Sequence, residues 1–168
     1  MAEHPNPHGR SLIVCVSEHH GNTRKVAEAM AEALDAEVVA PEDLRDIDTR
    51  DYDLIGFGSG IYLGWASPRL GRLVDRLPAG TGRAAFTFST SGAFILPFLG
   101  MTKVRRGLHA KGYKVLDDFN CRGYDTMGPL RFIGGLNRGR PDDDDLDRAA
   151  TFARQMRTRA AGASTSTV

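Results

Sequence analysis

The chain has 168 residues, the length of one ordinary domain, and its 22 lysines and arginines nearly balance 21 aspartates and glutamates at a formal net charge of +1. A hydrophobic fraction of 41% and a charged fraction of 26% are typical of a soluble globular protein. No basic block favours a nucleic-acid partner, and no apolar run approaches the ~18 residues that a membrane span needs.

The first half of the chain alternates apolar runs of strand length with helical patterns. Residues 12–16 (LIVCV) predict a first strand, and from Thr23 onward apolar residues recur at helical spacing. A short second strand is expected at 37–40 and a third at 52–58, which ends in a glycine-rich loop. Pro68 then opens a second helix, as proline often does at a first helical position.

The second half continues the same alternation. A fourth strand is predicted at 83–89, a modest helix at 100–111 and a fifth strand at 113–119. After a long connection, 121–141, a last amphipathic helix follows. Such alternation implies right-handed βαβ units, hence a parallel sheet with helices on both faces. The strand order can be 2-1-3-4-5 or a nucleotide-binding order, and both place ligands at the carboxyl ends of the strands.

The two ends lack the patterns of packed structure. Residues 1–10 have no periodicity and no apolar segment of a signal peptide, and 161–168 form a tail of small and polar residues. We expect both ends to be disordered and residues 11–160 to form one domain. Cys15 and Cys121 lack metal-site spacing, and a buried, reduced thiol is the expectation at Cys15. A cytoplasmic location fits these features.

The loop after the first strand, SEHHGNT at 17–23, leads directly into the first helix. A helix start offers unpaired N–H groups and the positive end of a dipole, which suits phosphate. The side chains of Ser17, Asn22, Thr23 and one or both histidines can add hydrogen bonds. The loop has no Walker lysine, and the alternative is that Asn22 or Thr23 merely caps the helix.

The loops after the third and fourth strands suit a flat ring. GFGSGIYLGW, 56–65, combines glycines with Tyr62 and Trp65, and STSGAFILP, from Ser89, combines small hydroxyl residues with Phe94. In isolation each is equally well read as a turn with core aromatics. Together with the first loop, they place a phosphate site and a ring site at the same sheet edge.

These three loops resemble those of the flavodoxin family. SEHHGNT is similar to the family's phosphate loop, (S/T)-x-T-G-N-T, while YDLIGFGSGIY and FSTSGAF are similar to its two flavin loops. The resemblance covers roughly residues 11–160 in element order. It implies a flavodoxin-like three-layer α/β sandwich with a five-stranded parallel sheet in the order 2-1-3-4-5, and non-covalently bound FMN.

Carried over by position, the resemblance implies three groups of cofactor-binding residues. The phosphate group comprises Ser17, His19, His20, Gly21, Asn22 and Thr23; the first flavin loop contributes Ser59, Gly60, Ile61, Tyr62 and Leu63; the second contributes Ser89, Thr90, Ser91, Gly92, Ala93 and Phe94. In this family a peptide in the first flavin loop can reorient to bond the flavin N5, and Gly60 would make such a change inexpensive.

The chain departs from the family in three features. Ser17 stands one residue farther from Gly21 than the family spacing, so Glu18 or His19 must bulge, and a glutamate must turn away from the phosphate. Electron-shuttle flavodoxins are strongly acidic, whereas this chain is near neutral. The connection 121–141 is unusually long, carries several arginines, and is expected to close over the flavin, to dock a partner or anionic substrate, or to be a plain surface loop.

The resemblance favours a flavodoxin-like protein that carries electrons through FMN, with a redox partner protein or a small-molecule acceptor, as a monomer or homodimer. The alternative is an FMN-dependent oxidoreductase acting on a quinone or tetrapyrrole-like substrate. No catalytic residue and no metal site is assigned, since the aspartates at 142–145 are typical of a helix first turn. A phosphoacceptor receiver is disfavoured because it needs clustered aspartates after the first strand, where this chain has Ser17 and Glu18. An α/β-hydrolase is disfavoured because the GxSxG motif is absent.

Overall fold

The structure, a computed structural model, describes residues 9–18, 20–92, 100–126, 132 and 134–164. The strands are β1 (Ser11–Val16), β2 (Glu37–Val39), β3 (Leu54–Tyr62), β4 (Trp65–Ala66), β5 (Ala84–Ser91) and β6 (Lys114–Arg122). The helices are α1 (Asn22–Leu34), α2 (Pro68–Arg76), α3 (Thr102–Ala110) and α4 (Asp143–Ser164), and short 3₁₀ turns occupy Asp43–Asp46 and Thr49–Asp51.

Within the described chain, the sheet has the order β2-β1-β3-β5-β6, and its neighbouring strands are all parallel. Numbered among the parallel strands alone, this is the predicted order 2-1-3-4-5, which is therefore confirmed. The short β4 lies outside that path and pairs antiparallel with the end of β3.

Helices cover both faces of the sheet, as the alternating pattern predicts. On one face α1 and α4 pack over Ile13, Phe86 and Phe88, all inaccessible to solvent. On the other face α2 and α3 pack over Leu12, Ile55 and other buried residues of the first three strands. The result is the expected three-layer α/β sandwich.

Three strands run farther than predicted at their carboxyl ends. β6 continues through Arg122 rather than ending at 119. β3 continues through Tyr62 rather than ending at 58, and β5 continues through Ser91 rather than ending at 89. The prediction that the glycine-rich loop begins at 56 is therefore wrong, because Gly56–Gly60 pair in register with β5. The turn itself is Leu63–Gly64, where both residues have positive φ and β3 reverses into β4.

Parts of both expected tails are ordered. The Arg10 N–H donates to the Asp53 carboxylate at 2.9 Å, and its carbonyl accepts from the Asp53 N–H at 2.9 Å. The last helix continues to Ser164, so residues 161–164, which were expected in the tail, are helical. Residues 1–8 and 165–168 lie outside the described residues. Among the residues that the structure does describe, no helix combines the length and the apolar character needed to cross a membrane.

Glycines in β3 make room for the rings of β5. A Cβ atom on Gly56 would lie 2.5 Å from the Phe86 ring, and one on Gly58 would overlap the Phe88 ring. Because β3 lacks side chains at these two positions, both phenyl rings can lie across it under α1 and α4. The strand therefore fixes how closely the sheet and this helical layer approach.

We expect Gly58→Ala to lower the free energy of unfolding by about 1–3 kcal/mol, because the added methyl group overpacks the Phe88 ring. Urea denaturation followed by circular dichroism measures this change. The matched control is Gly71→Ala in α2, where nothing lies within 4 Å of the new Cβ atom. The free energy of unfolding of that variant should rise by about 0.8 kcal/mol, because alanine has a higher helix propensity than glycine. Equal destabilisation of the two variants would contradict the packing account.

Candidate functional site

The parallel register brings four strand ends to one edge of the sheet. Val16 at the end of β1 lies opposite Ser59, Gly60 pairs with Thr90, and Ser91 pairs with Arg122. A cavity of about 240 Å³ opens where the following segments meet. It is lined by His20, Asn22, Thr23, Gly60, Ile61, Tyr62, Thr90, Gly92, Gly123, Tyr124, Asp125 and Thr126. We call this the edge cavity.

The edge cavity gathers residues from all three predicted loops. Of the predicted residues, His20, Asn22, Thr23, Gly60, Ile61, Tyr62, Thr90 and Gly92 line it. Ser17, Gly21, Ser59, Leu63, Ser89 and Ser91 are not among the residues that line it. His19, Ala93 and Phe94 lie outside the described residues.

The N-terminus of α1 lies at the edge cavity without a side-chain cap. Gly21 occupies the cap position in the left-handed region at φ 66°, and no acidic residue lies in the first turn. Asn22 donates to the Tyr124 carbonyl at 2.7 Å, and the Thr23 hydroxyl bonds the Thr90 hydroxyl at 2.8 Å. The alternative that Asn22 or Thr23 caps the helix is therefore wrong, because their side chains bond other segments. The uncapped N–H groups and the helix dipole favour an anion here.

The Ser17 hydroxyl, just before this helix start, is buried and has no hydrogen-bond partner among the described residues. A buried hydroxyl left without a partner costs about 1–3 kcal/mol unless a ligand or water satisfies it. Its position at the carboxyl end of β1 makes it available to a ligand that reaches the α1 N-terminus.

Glu18 turns away from the helix start, as the one-residue insertion requires. Its carboxylate accepts a hydrogen bond from the Ser67 hydroxyl at 2.9 Å and lies 3.9 Å from the Arg69 guanidinium. Its backbone N–H donates to the Tyr62 hydroxyl at 3.2 Å. The negative charge is thereby directed toward α2, which reduces its repulsion of an anion at α1.

Gly60 lies in β3 and not in a loop, contrary to expectation. A Cβ atom there would lie 2.5 Å from the Tyr62 hydroxyl oxygen, so the Tyr62 side chain folds back over Gly60. The residues with positive φ are Leu63 and Gly64, and Leu63 is 88% exposed. A reorientation of the Gly60 peptide, which the resemblance implies, would have to disturb the pairing of Gly60 with Thr90.

Two of the predicted site residues, Ser59 and Ser89, form side-chain hydrogen bonds within the fold. The fully buried Ser59 hydroxyl donates to the Gly60 carbonyl at 2.7 Å and accepts from the Ser67 N–H at 2.8 Å. The Ser89 hydroxyl accepts from the Asn120 side chain at 2.9 Å. Both hydroxyls hold neighbouring segments together beneath the edge cavity.

One wall of the edge cavity was not identified residue by residue from the sequence. Residues 123–126, which follow β6, cover the start of α1. The His20 ring bonds the Thr126 hydroxyl at 2.7 Å, and its centroid lies 4.7 Å from that of the Tyr124 ring. The available signal was topological: this segment follows a strand that ends at the same edge of the sheet.

The chain returns antiparallel to this wall and holds it in place. Asp125 and Leu136 exchange backbone hydrogen bonds of 2.9 and 2.7 Å. The Asn137 side chain donates to the carbonyls of Gly92 and Gly123 at 2.7 and 3.3 Å. These bonds connect the described parts of the 121–141 connection to the end of β5, so they form a fixed part of the edge cavity.

The return segment is anchored at the N-terminus of α4. Asp142 and Asp145 cap this helix reciprocally, each carboxylate accepting from the other's backbone N–H at 3.0 and 3.3 Å. Arg140 donates to the buried Asp145 carboxylate at 2.8 Å. Burial alone would raise the pKa of Asp145, but the Arg140 and Asp142 hydrogen bonds outweigh it and hold the pKa below its usual value. These carboxylates are therefore structural.

Neither cysteine offers a reactive thiolate. Cys15 and Cys121 are buried and unpaired, and burial raises the pKa of each thiol to about 12. In the described parts of the chain, no three histidine, cysteine or acidic side chains are grouped so as to hold a metal ion.

We expect Asp145→Asn to lower the free energy of unfolding by about 1–3 kcal/mol near neutral pH, since Arg140 loses the buried one of its two carboxylate partners, Asp142 and Asp145. The pKa of Asp145 is lower in the folded protein than its ordinary value of 3.8. The carboxylate therefore makes its full contribution to the free energy of unfolding at pH values above 3.8, and this contribution is lost as the pH falls through the folded pKa. The difference from the parent should therefore shrink on acidification. Denaturation at pH 7 and at pH 3 measures it, with exposed Asp147→Asn as the control. A difference that is constant with pH would contradict this account.

Comparison with known proteins supports the fold that this site occupies. A family model described as a flavodoxin domain matches residues 13–92. An uncharacterized protein of Methanocaldococcus jannaschii is 37% identical over 147 residues, which cover 88% of this chain and 97% of that protein.

Solved structures share the architecture at low sequence identity. Oxidised flavodoxin 2 of Bacillus cereus has a TM-score of 0.63 and 20% identity, covering 89% of this chain and 99% of that one. A flavoprotein of Lactobacillus acidophilus, solved in complex with FMN, has a TM-score of 0.55 and 20% identity over 67% of this chain and 93% of that one. At these identities the likeness concerns the fold.

Proposed function

Because the chain belongs to the flavodoxin family, we propose that it binds FMN non-covalently in the edge cavity and carries electrons through it. The observation that carries this proposal is the edge cavity itself. There the uncapped N-terminus of α1 meets Gly60–Tyr62 of β3 and Thr90 and Gly92 at the end of β5. Such a juxtaposition provides an anion site beside a site for a flat ring.

The polar groups present fit a phosphate. The unpartnered Ser17 hydroxyl can donate to it, and a Cβ atom on Gly21 would meet nothing within 4 Å, so the backbone there is open to a ligand. If Thr23 accepts a hydrogen bond from Thr90, its own hydroxyl proton remains available to the phosphate. Glu18 is held away by Ser67. The backbone N–H groups of α1 would provide the remaining donors.

The lining of the edge cavity also fits a planar ring. Tyr62 and Tyr124 both line it, and Gly60 and Gly92 present no side chains of their own. A ring bound there would contact aromatic faces and backbone groups, and the walls would exclude water from one side of it. FMN would supply the redox chemistry, and the protein would tune it through these contacts.

The FMN-bound flavoprotein of Lactobacillus acidophilus supports this choice of cofactor at the level of the fold. The electron donor and acceptor are proposed only as classes: a redox partner protein or a small molecule. Exposed Leu63 and Trp65 beside the edge cavity offer apolar contact to either class.

A second candidate is an FMN-dependent oxidoreductase acting on a quinone or tetrapyrrole-like substrate. Two observations favour it over a shuttle: the net charge of +1 lacks the acidic field that steers shuttles to basic partners, and residues 123–126 form an additional wall of the cavity. Turnover of quinones by the FMN-loaded protein would distinguish the enzyme from the carrier.

The first test is the absorbance spectrum of the purified protein with added FMN, followed by stepwise anaerobic reduction. A shifted, bound-flavin spectrum with two separate one-electron steps supports a carrier. A single two-electron step supports the oxidoreductase. Absence of any flavin binding would overturn the proposed function as a whole.

We expect Ser17→Ala to weaken FMN binding by about tenfold, because a hydroxyl donor to the phosphate is lost. Riboflavin, which has the same ring and no phosphate, should bind both proteins equally. The free energy of unfolding without cofactor should not fall, since this hydroxyl has no hydrogen-bond partner among the described residues. Flavin fluorescence titrations measure both affinities.

The matched control is Ser11→Ala, at the opposite end of the same strand. It should leave both flavin affinities unchanged. Equal loss of FMN and riboflavin affinity in Ser17→Ala would place the hydroxyl away from the phosphate and contradict the assignment.

A further inference from the structure

A larger cavity, of about 820 Å³, lies away from the edge cavity, between α2 and the two 3₁₀ turns that precede β3. Five arginines line it: Arg45, Arg50, Arg69, Arg72 and Arg76. We call it the arginine groove. Its volume falls in the range of small-molecule sites, roughly 300–1,000 Å³.

The arginine groove has an apolar floor beneath this charged rim. Leu44 and Leu77 are buried at 7% and 4% exposure, and Ile47 and Leu73 are partly buried beside them. All four line the groove. The surface thus combines aliphatic contact with guanidinium groups, an arrangement that suits a ligand with an apolar body and an anionic end.

The positive charge of the groove is only partly neutralised. Its carboxylates are Glu42 and Asp48, which pair with Arg69 and Arg50 at 2.7 Å. Among the side chains that the structure describes, Arg45, Arg72 and Arg76 form no ion pair. Like charges brought together in this way repel one another, and a bound anion relieves that repulsion.

A second, independent feature points to a ligand. Thr49 lines the groove and is 3% exposed, and its hydroxyl has no hydrogen-bond partner in the described structure. A buried hydroxyl without a partner is uncommon in folded proteins and is stabilised when a ligand atom bonds it. It therefore provides a polar anchor on an otherwise aliphatic floor.

We propose that the arginine groove is a second binding site, for a small amphipathic anion with an apolar body and a carboxylate, sulfonate or phosphate group. The anionic group contacts Arg72 and Arg76, which extend from successive turns of α2. The apolar body covers Leu44 and Leu73, and a polar atom of the ligand reaches Thr49. Flavin binding at the edge cavity is not required for this site.

The probe is anilinonaphthalene sulfonate, an aromatic anion, titrated calorimetrically into protein saturated with FMN so that the edge cavity is occupied. Its uncharged analogue phenylnaphthylamine and inorganic sulfate separate the apolar and charged contributions. We expect the sulfonate probe to bind at one site and at least about tenfold more tightly than either analogue, since both contacts are needed.

The double variant Arg72→Gln/Arg76→Gln should bind the sulfonate probe at least about tenfold more weakly. The matched control, Arg154→Gln/Arg157→Gln, changes the same charge on α4, on the opposite face of the sheet, and should bind as the parent does. Amide NMR shifts of the parent provide a second measurement that needs no variant. They should change at residues 44–50 and 72–77.

Three results would overturn the proposal: no binding, equal binding by the two double variants, or NMR changes confined to the edge cavity. Binding of phenylnaphthylamine as tight as that of the sulfonate would show an apolar site only, and equally tight sulfate would show a simple anion site. Failure of the protein to bind FMN would refute the proposed function instead, and would leave the comparison of the two double variants intact.

Discussion

The parallel register of β1, β3, β5 and β6 is the constraint on which the rest of the molecule depends. It aligns Val16 with Ser59, Gly60 with Thr90, and Ser91 with Arg122, so the chain segments after these strands emerge at one edge. Glycines 56 and 58 maintain the register by admitting the Phe86 and Phe88 rings beneath α1 and α4. A shift of one residue in the register of a strand would move each of its side chains to the opposite face of the sheet, and the core and the edge cavity would both be lost.

Much of this architecture could be predicted because it depends on local patterns. The apolar run at 12–16, the helical spacing after Thr23 and the GNT turn determine β1, α1 and the uncapped helix start between them. The extension of β3 to Tyr62 could not be read locally, since Gly58 and Gly60 are poor strand formers and interrupt the apolar run. Pairing with β5 and β4 stabilises this part of the strand, and pairing is a tertiary property.

The same limit explains what was missed at the site. Tyr124 and Thr126 follow no recognisable motif, and their contacts with His20 join residues more than 100 positions apart. The residues that line the arginine groove likewise come from two separate chain segments, 41–50 and 69–78. Each cavity is formed by chain segments that are distant in sequence and close in space, and a single sequence does not show which segments meet.

Arg69 joins the two sites physically. Its guanidinium bonds Glu42 in the arginine groove at 2.7 Å and lies 3.9 Å from Glu18, which precedes the α1 N-terminus. Glu18 in turn accepts from Ser67, the cap of α2, where a carboxylate is favoured by the helix dipole. Glu18, one of the two residues that the longer spacing was expected to displace, is thus held by the helix that forms the groove. A single side chain of α2 thus both restrains Glu18 and forms part of the wall of the arginine groove.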